Sequence, residues 1–277
     1  MSSSSLRFSF HPSSPCIMGI LNVTPDSFSE SGHNYSPDRA VKNALEMVRQ
    51  GADIIDVGGE STRPGAVPVS CEQEISRIEP VLKQLQIEKI PVSVDTRHAQ
   101  TMKIALSYGA VMINDITALR GDSESLNIVA GHDCYICLMH MKGQPQTMQK
   151  NPEYDDVADD VKTFLEKRIE TCMKAGISKE RLIIDPGIGF GKTLEHNLTL
   201  FQNLEQFRDL GVTVLLGASR KSFIEKICGP TPVAQRLAGS LAACIKGYES
   251  GVRIFRVHDV AQTRQALNVW ELINKPS

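Results

Sequence analysis

Residues 51–65 read Gly51-Ala52-Asp53-Ile54-Ile55-Asp56-Val57-Gly58-Gly59-Glu60-Ser61-Thr62-Arg63-Pro64-Gly65. Gly51 and Ala52 form a tight lead into the run Asp53–Gly58, which is short and nearly all apolar apart from its carboxylates. Such a run fits a parallel strand covered on both faces. It opens into a long polar loop, Gly59–Val69. A tight inbound turn and a long, polar outbound loop mark a βα unit whose outgoing loops gather on one functional face.

The same unit recurs along the chain. Candidate strands are Cys16–Val23, Asp53–Gly58, Pro91–Thr96, Met112–Ile116, Cys134–His140, Leu182–Gly187, Val212–Ser219 and Ile254–Asp259. Helical patterns follow them at Asp38–Gln50, Cys71–Gln86, His98–Ser107, Ser123–Ala130, Asp155–Ala175, Leu194–Leu210, Val233–Tyr248 and Val260–Ile273. Strict alternation predicts a parallel sheet with right-handed crossovers. Eight repeats in 277 residues match a (β/α)8 TIM barrel, which takes roughly 250 residues. The expected organisation is an α/β single-domain barrel over residues 16–277, preceded by a tail over residues 1–15. An open doubly wound sheet is the alternative. Long outgoing segments at Thr24–Tyr35, Gly59–Val69, Met141–Tyr154 and Arg220–Pro232 belong on the catalytic face of such a barrel.

Composition narrows the function. A net charge of −2 argues against a general nucleic-acid surface. The first ten residues are Ser-rich with a single Arg, unlike a secretory signal. The seven scattered cysteines read as reduced, mostly buried thiols in a cytoplasmic protein. In that setting the glycosylation-like triplets at Asn22, Asn34 and Asn197 carry no meaning.

Every candidate strand ends in polar groups: Asn22, Asp56, Asp95, Asn114 with Asp115, His140, Asp185, Ser219 with Arg220 and Lys221, and Arg256 with His258. Polar strand ends are ordinary one at a time, but eight of eight after apolar interiors imply a shared site. Side chains alternate faces along a strand. Arg256 and His258 therefore share a face, as do Asn114 and Ile116, while Asp115 points away as a structural partner. Arg63, Lys221, Arg256 and His258 suit an anion such as a phosphate. Asp95 and Asp185 suit the N–H donors of a nitrogenous ring. A substrate with such a ring at one end and an anion at the other follows.

Two motifs are set aside. Gly187–Thr193 resembles a nucleotide phosphate loop, but the residue five before Gly191 is Pro186, and the frame from Gly187 is one residue short. Cys134 and Cys137 form a CxxC within an apolar strand, where the two thiols face opposite sides rather than opening a helix.

Five segments together go beyond fold: Ile17–Ser29, Gly51–Gly65, Asp185–Thr193, Gly217–Phe223 and Arg256–Val260. In this order they closely resemble the bacterial dihydropteroate synthases, from about residue 16 to the C-terminus. The resemblance implies transfer of a pterin-methyl group. The family joins 6-hydroxymethyl-7,8-dihydropterin diphosphate to p-aminobenzoate with Mg2+, giving 7,8-dihydropteroate and pyrophosphate in folate biosynthesis. It further implies that Asp95, Asn114, Asp185 and Lys221 bind the pterin, with Ile116, Met139 and Phe190 lining its pocket. By the same resemblance Asn22, Arg63, Arg256 and His258 serve the diphosphate, with Asn22 also on the metal. Phe28, Thr62, Pro64 and Ser222 match the p-aminobenzoate side, where sulfonamides also bind. Asp95, Lys221, Arg256 and His258 are the implied catalytic residues, and a homodimer is the implied assembly. Two other functions are weighed: a barrel that moves a methyl group from a methylated folate to a cobalt cofactor, and a non-catalytic pterin carrier. Neither needs the anion cluster.

Overall fold

A computed structural model describes residues 8–10, 14–24, 36–61 and 65–274. Eight parallel strands close into a barrel in sequence order: β1 (Cys16–Asn22), β2 (Ile54–Gly58), β3 (Val92–Asp95), β4 (Met112–Asp115), β5 (Tyr135–Met139), β6 (Leu182–Asp185), β7 (Thr213–Leu216) and β8 (Ile254–Val257). Closure runs through β1 and β8, where Met18 pairs with Arg256. The helices are α1 (Pro37–Arg49), α2 (Cys71–Ile87), α3 (Ala99–Ser107), α4 (Ser125–Ala130), α5 (Val157–Lys174), α6 (Leu194–Gln202), α7 (Ser222–Cys228), α8 (Leu237–Glu249) and α9 (Val260–Ile273). The closed barrel excludes the open sheet.

The two-residue alternation of the strands sorts their side chains into two cores. Ile17, Leu21, Ile55, Val57, Val94, Ile113, Ile136, Leu138 and Ile184 face the helices in one large cluster. Cys16, Met18, Ile54, Met112, Cys137, Ile183, Leu215 and Ile254 fill the barrel interior. Cys134 lies in the first core and Cys137 in the second, so the CxxC thiols do face opposite ways. All seven cysteines are free. Within the segment read as a tail, Phe10 sets its ring edge-to-face on Tyr135 at 4.6 Å. With Phe8 it packs under the interior core.

Three readings change. The pattern Leu194–Leu210 divides into α6 and a 3-10 turn over Leu204–Leu210. At the junction the Asn203 amide N–H is shared between the carbonyls of Thr199 and Leu200. The Asn203 side chain also donates to Thr199 O at 2.8 Å. An asparagine that engages the preceding turn in this way lets the chain tighten to the i,i+3 pattern. The loop read as Arg220–Pro232 contains the seven-residue α7, too short to show a helical period. It stops at Gly229, where φ is +84°. The pattern Val233–Tyr248 begins as a 3-10 turn over Val233–Gln235 before α8.

Candidate active site

Interior-facing positions turn polar one step above the apolar floor. Register places Asn22 beside Gly58, Gly58 beside Asp95, and Asp95 beside Asn114. Four consecutive strands thus present three polar side chains and one gap at the same height. A Cβ on Gly58 would stand 3.7 Å from Asp95 Cβ and 4.0 Å from both Asn22 Oδ1 and Asp95 Oδ2. The glycine therefore leaves an opening between two oxygen-bearing side chains.

Asp56, one interior step below Gly58 on β2, is the centre of the site. It is fully buried. Its Oδ2 accepts from Arg256 Nε at 2.6 Å and from Asn114 Nδ2 at 3.1 Å. Its Oδ1 is buried without a partner. Arg256 Nη2 donates to Asp95 Oδ2 at 2.8 Å. One guanidinium thus bridges two carboxylates from β2 and β3. Burial works against the Arg256 charge, but Asp56 and Asp95 outweigh it and raise its pKa. Burial pushes the Asp95 pKa up to about 7; Arg256 opposes this, and the nearby Asp56, Glu74 and Asp115 add to it.

Across the pocket, Asp185 Oδ1 accepts from the Gly187 amide at 2.7 Å. Burial raises its pKa against the pull of Lys221. Lys221 Nζ donates to Ile188 O and lies 4.5 Å over the Phe190 ring. Burial lowers its pKa to about 8, with Asp185 opposing. Gly217 leaves space here as well: its Cβ would meet Asp185 Oδ2 at 3.5 Å and Lys221 Nζ at 3.9 Å. The apolar wall is Ile116, Met139, Met141 and Met148, with Phe190 packed against it. His258 Nδ1 stands 3.0 Å from Ser219 Oγ. Ser222 is exposed at the first position of α7.

Asn114 and Ile116 do share the pocket side. Asp115 is the structural partner expected, accepting from Thr117 N and Oγ1 and from Leu119 N. Arg256 faces Asp56 and Asp95. Phe28, Thr62, Arg63 and Pro64 lie outside the described residues. Sequence reasoning noted Asp56 at a strand end but gave it no role. Parity puts it on the interior face two residues before Gly58, but no local feature marks it as the centre.

Among the described residues, one set of side chains has the spacing to gather on an ion: Glu60, Glu74 and His98, with ligand atoms within 4.8 Å of one another. Glu60 is engaged by Arg97 through two N–H groups at 2.9 and 3.0 Å. Glu74 Oε2 accepts from Thr96 and Thr101, with His98 Nδ1 at 3.1 Å. These contacts engage all three residues in hydrogen bonds, with Glu74 Oε1 buried and without a partner.

Residues 18–258 match the family model described as pterin binding enzyme. A dihydropteroate synthase of Neisseria meningitidis serogroup C is 44% identical over 270 residues, 96% of this chain and 95% of that protein. The dihydropteroate synthase of Escherichia coli strain K12 is 46% identical over 260 residues, 94% of this chain and 92% of its own. Among solved structures, Yersinia pestis dihydropteroate synthase with a sulfonamide drug complex superposes with a TM-score of 0.92 at 41% identity, covering 99% of both chains. The Xanthomonas albilineans enzyme in complex with 7,8-dihydropteroate gives 0.87 at 40% identity, covering 96% of each. The chain belongs to the family of pterin-binding enzymes.

Proposed function

We infer that the chain is a dihydropteroate synthase, a transferase that condenses 6-hydroxymethyl-7,8-dihydropterin diphosphate with p-aminobenzoate in folate biosynthesis. Its substrates are small molecules. The observation that carries the reading is the polar ring of Asp56, Asp95, Asn114, Asp185, Lys221 and Arg256 set beside the apolar wall of Ile116, Met139 and Phe190. A flat heterocycle with several N–H donors needs both surfaces.

In this reading Asp95, Asn114 and Asp185 hold the pterin edge while Ile116, Met139 and Phe190 pack its faces. Lys221, over Phe190 and near Asp185, donates to the ring's acceptor side. Arg256 and His258, joined by Asn22 and Arg63, meet the diphosphate. Phe28, Thr62, Pro64 and Ser222 receive p-aminobenzoate.

The residues fit Mg2+, a hard cation that prefers oxygen and retains several waters. Asn22 Oδ1 borders the opening over Gly58 and would hold the ion together with substrate oxygens. Mg2+ bound there would neutralise leaving-group charge. The protein's part is positioning and electrostatics. Asp95 stabilises positive charge as it develops on the pterin, whose electron-rich ring supports a cation at its exocyclic methylene. Arg256 and His258 stabilise the departing pyrophosphate. The arylamine is already neutral near pH 7 and needs no strong general base. Exclusion of water protects the cation from capture.

Assembly as a homodimer in the cytoplasm is part of the same proposal. It is supported by the resemblance and by exposed Val269, Leu272 and Ile273, which share one face of α9. Size-exclusion with light scattering reads the mass against the 30.5 kDa monomer.

The test of function is pyrophosphate release from the pterin diphosphate with Mg2+, with and without p-aminobenzoate. Release matched by dihydropteroate formation is expected. Tight pterin binding without release would support a carrier or a methyltransferase instead.

A further inference from the structure

The segment that resembles a phosphate loop, Gly187–Lys192, has the opposite polarity in the folded chain. A phosphate loop turns amide N–H groups inward onto an anion. Here carbonyl oxygens turn inward onto the amino group of Lys192, whose pKa burial lowers to about 7 with Asp185 opposing. Lys192 is 1% exposed. Its Nζ lies 2.9 Å from Gly187 O, 3.0 Å from Phe190 O and 3.0 Å from His140 Nδ1. His140 O also lies 3.4 Å away, so the three N–H donors of the protonated form meet four acceptors. His140 is held neutral: burial and the adjacent Lys192 lower its pKa to about 2.

Positive φ at Gly187 (+72°), Gly189 (+84°) and Gly191 (+62°) shapes the loop around this amino group. A Cβ at Gly187 would collide with His140 O, and one at Gly191 with Lys142 O. The loop is therefore wedged against the end of β5. Its outer side carries the pocket: Gly187 N holds Asp185, Ile188 O holds Lys221, and the Phe190 ring lies beneath Lys221.

We propose that Lys192, anchored on His140, is a positioning residue for pterin recognition. It fixes the loop that places Asp185, Phe190 and Lys221 and touches no substrate itself. The proposal rests on the pterin-binding reading of those three residues.

The experiment uses the full chain and compares Lys192→Met, His140→Asn and His140→Leu. Asparagine can present its Oδ1 where the histidine presents Nδ1, whereas leucine cannot. Pterin diphosphate binding is measured by calorimetry and the two KM values by steady-state turnover, with thermal midpoints recorded alongside. In Lys192→Met, pterin affinity is expected to weaken about tenfold, with a matching rise in the pterin KM, while the p-aminobenzoate KM changes less than about twofold. His140→Leu is expected to follow it, and His140→Asn to stay near wild type. Equal rises in both KM values, an unchanged pterin affinity, or His140→Asn as impaired as His140→Leu would overturn the proposal. Should Lys192→Met not fold, the two His140 variants decide it. Failure of the wild-type chain to bind the pterin would overturn the functional reading and this inference together. Pterin binding by wild type without the split would overturn the inference alone.

Discussion

Arg256 and Asp95, 161 positions apart in the chain, meet through a 2.8 Å hydrogen bond from Nη2 to Oδ2, while Arg256 Nε binds Asp56 at 2.6 Å. The guanidinium that the resemblance places at the diphosphate thereby also holds the aspartate placed at the pterin. In the proposed reading, the groups at the two ends of the substrate are thus joined to each other through this guanidinium.

Arg256→Ala removes the guanidinium that bridges the buried Asp56 and Asp95. A stability loss of about 3 kcal/mol is expected, because removing one partner of a buried ion pair exposes the full desolvation cost of the rest. Urea denaturation measures it. Diphosphate-dependent turnover is expected to fall far more than binding of a free pterin; equal losses in both would remove Arg256 from the leaving-group site.

Asp95 keeps its proton up to about 7 in the folded chain, whereas an unfolded aspartate loses it near ~3.9. The folded state thus binds more protons than the unfolded state between these values. This contribution to stability is complete below the unfolded pKa and declines as pH rises through about 7. Asp95→Asn removes the decline. The thermal midpoint of the variant relative to wild type should climb from about pH 4 to about pH 7 and then level off. A difference independent of pH would contradict the assignment.

Gly58→Ala is expected to fold, since its methyl makes only ordinary contacts at 3.7–4.0 Å. A stability change within about 1 kcal/mol should accompany a large loss of Mg2+-dependent turnover, because the methyl fills the opening between Asn22 and Asp95. Unchanged turnover would show that the opening is not used. Gly187→Ala should behave oppositely. Positive φ and the collision with His140 O are expected to cost roughly 2 kcal/mol or more, visible as a lowered thermal midpoint.

Asn22→Ala tests the metal assignment. The Mg2+ concentration for half-maximal turnover should rise about tenfold, with the pterin KM at saturating Mg2+ changing less. An unaltered Mg2+ response would place the ion elsewhere.

The barrel was legible because each of its units repeats the same local chemistry, most clearly in Gly51–Gly59. All eight strands lie where the sequence places them, with no end shifted by more than three residues. The breaks were missed where the cause lies in a single side chain, as at Asn203, or where an element is as short as α7. At the site, strand parity separated Asn114 from Asp115. Parity could not say that Asp56 stands at the centre, because nothing local distinguishes one interior carboxylate from another.

Sequence alone determined which residue types stand at the strand ends, which faces they share, and which family motif they form, since these follow from period two and from order along the chain. Tertiary structure alone decided who meets whom. Closure and register brought Arg256 of β8 across the barrel to Asp56 of β2 and Asp95 of β3. They also set Lys192 between the Gly187 and Phe190 carbonyls and the His140 ring at the end of β5. Those contacts depend on burial and on distances between strands remote in sequence, and electrostatic interactions strengthen where water is removed.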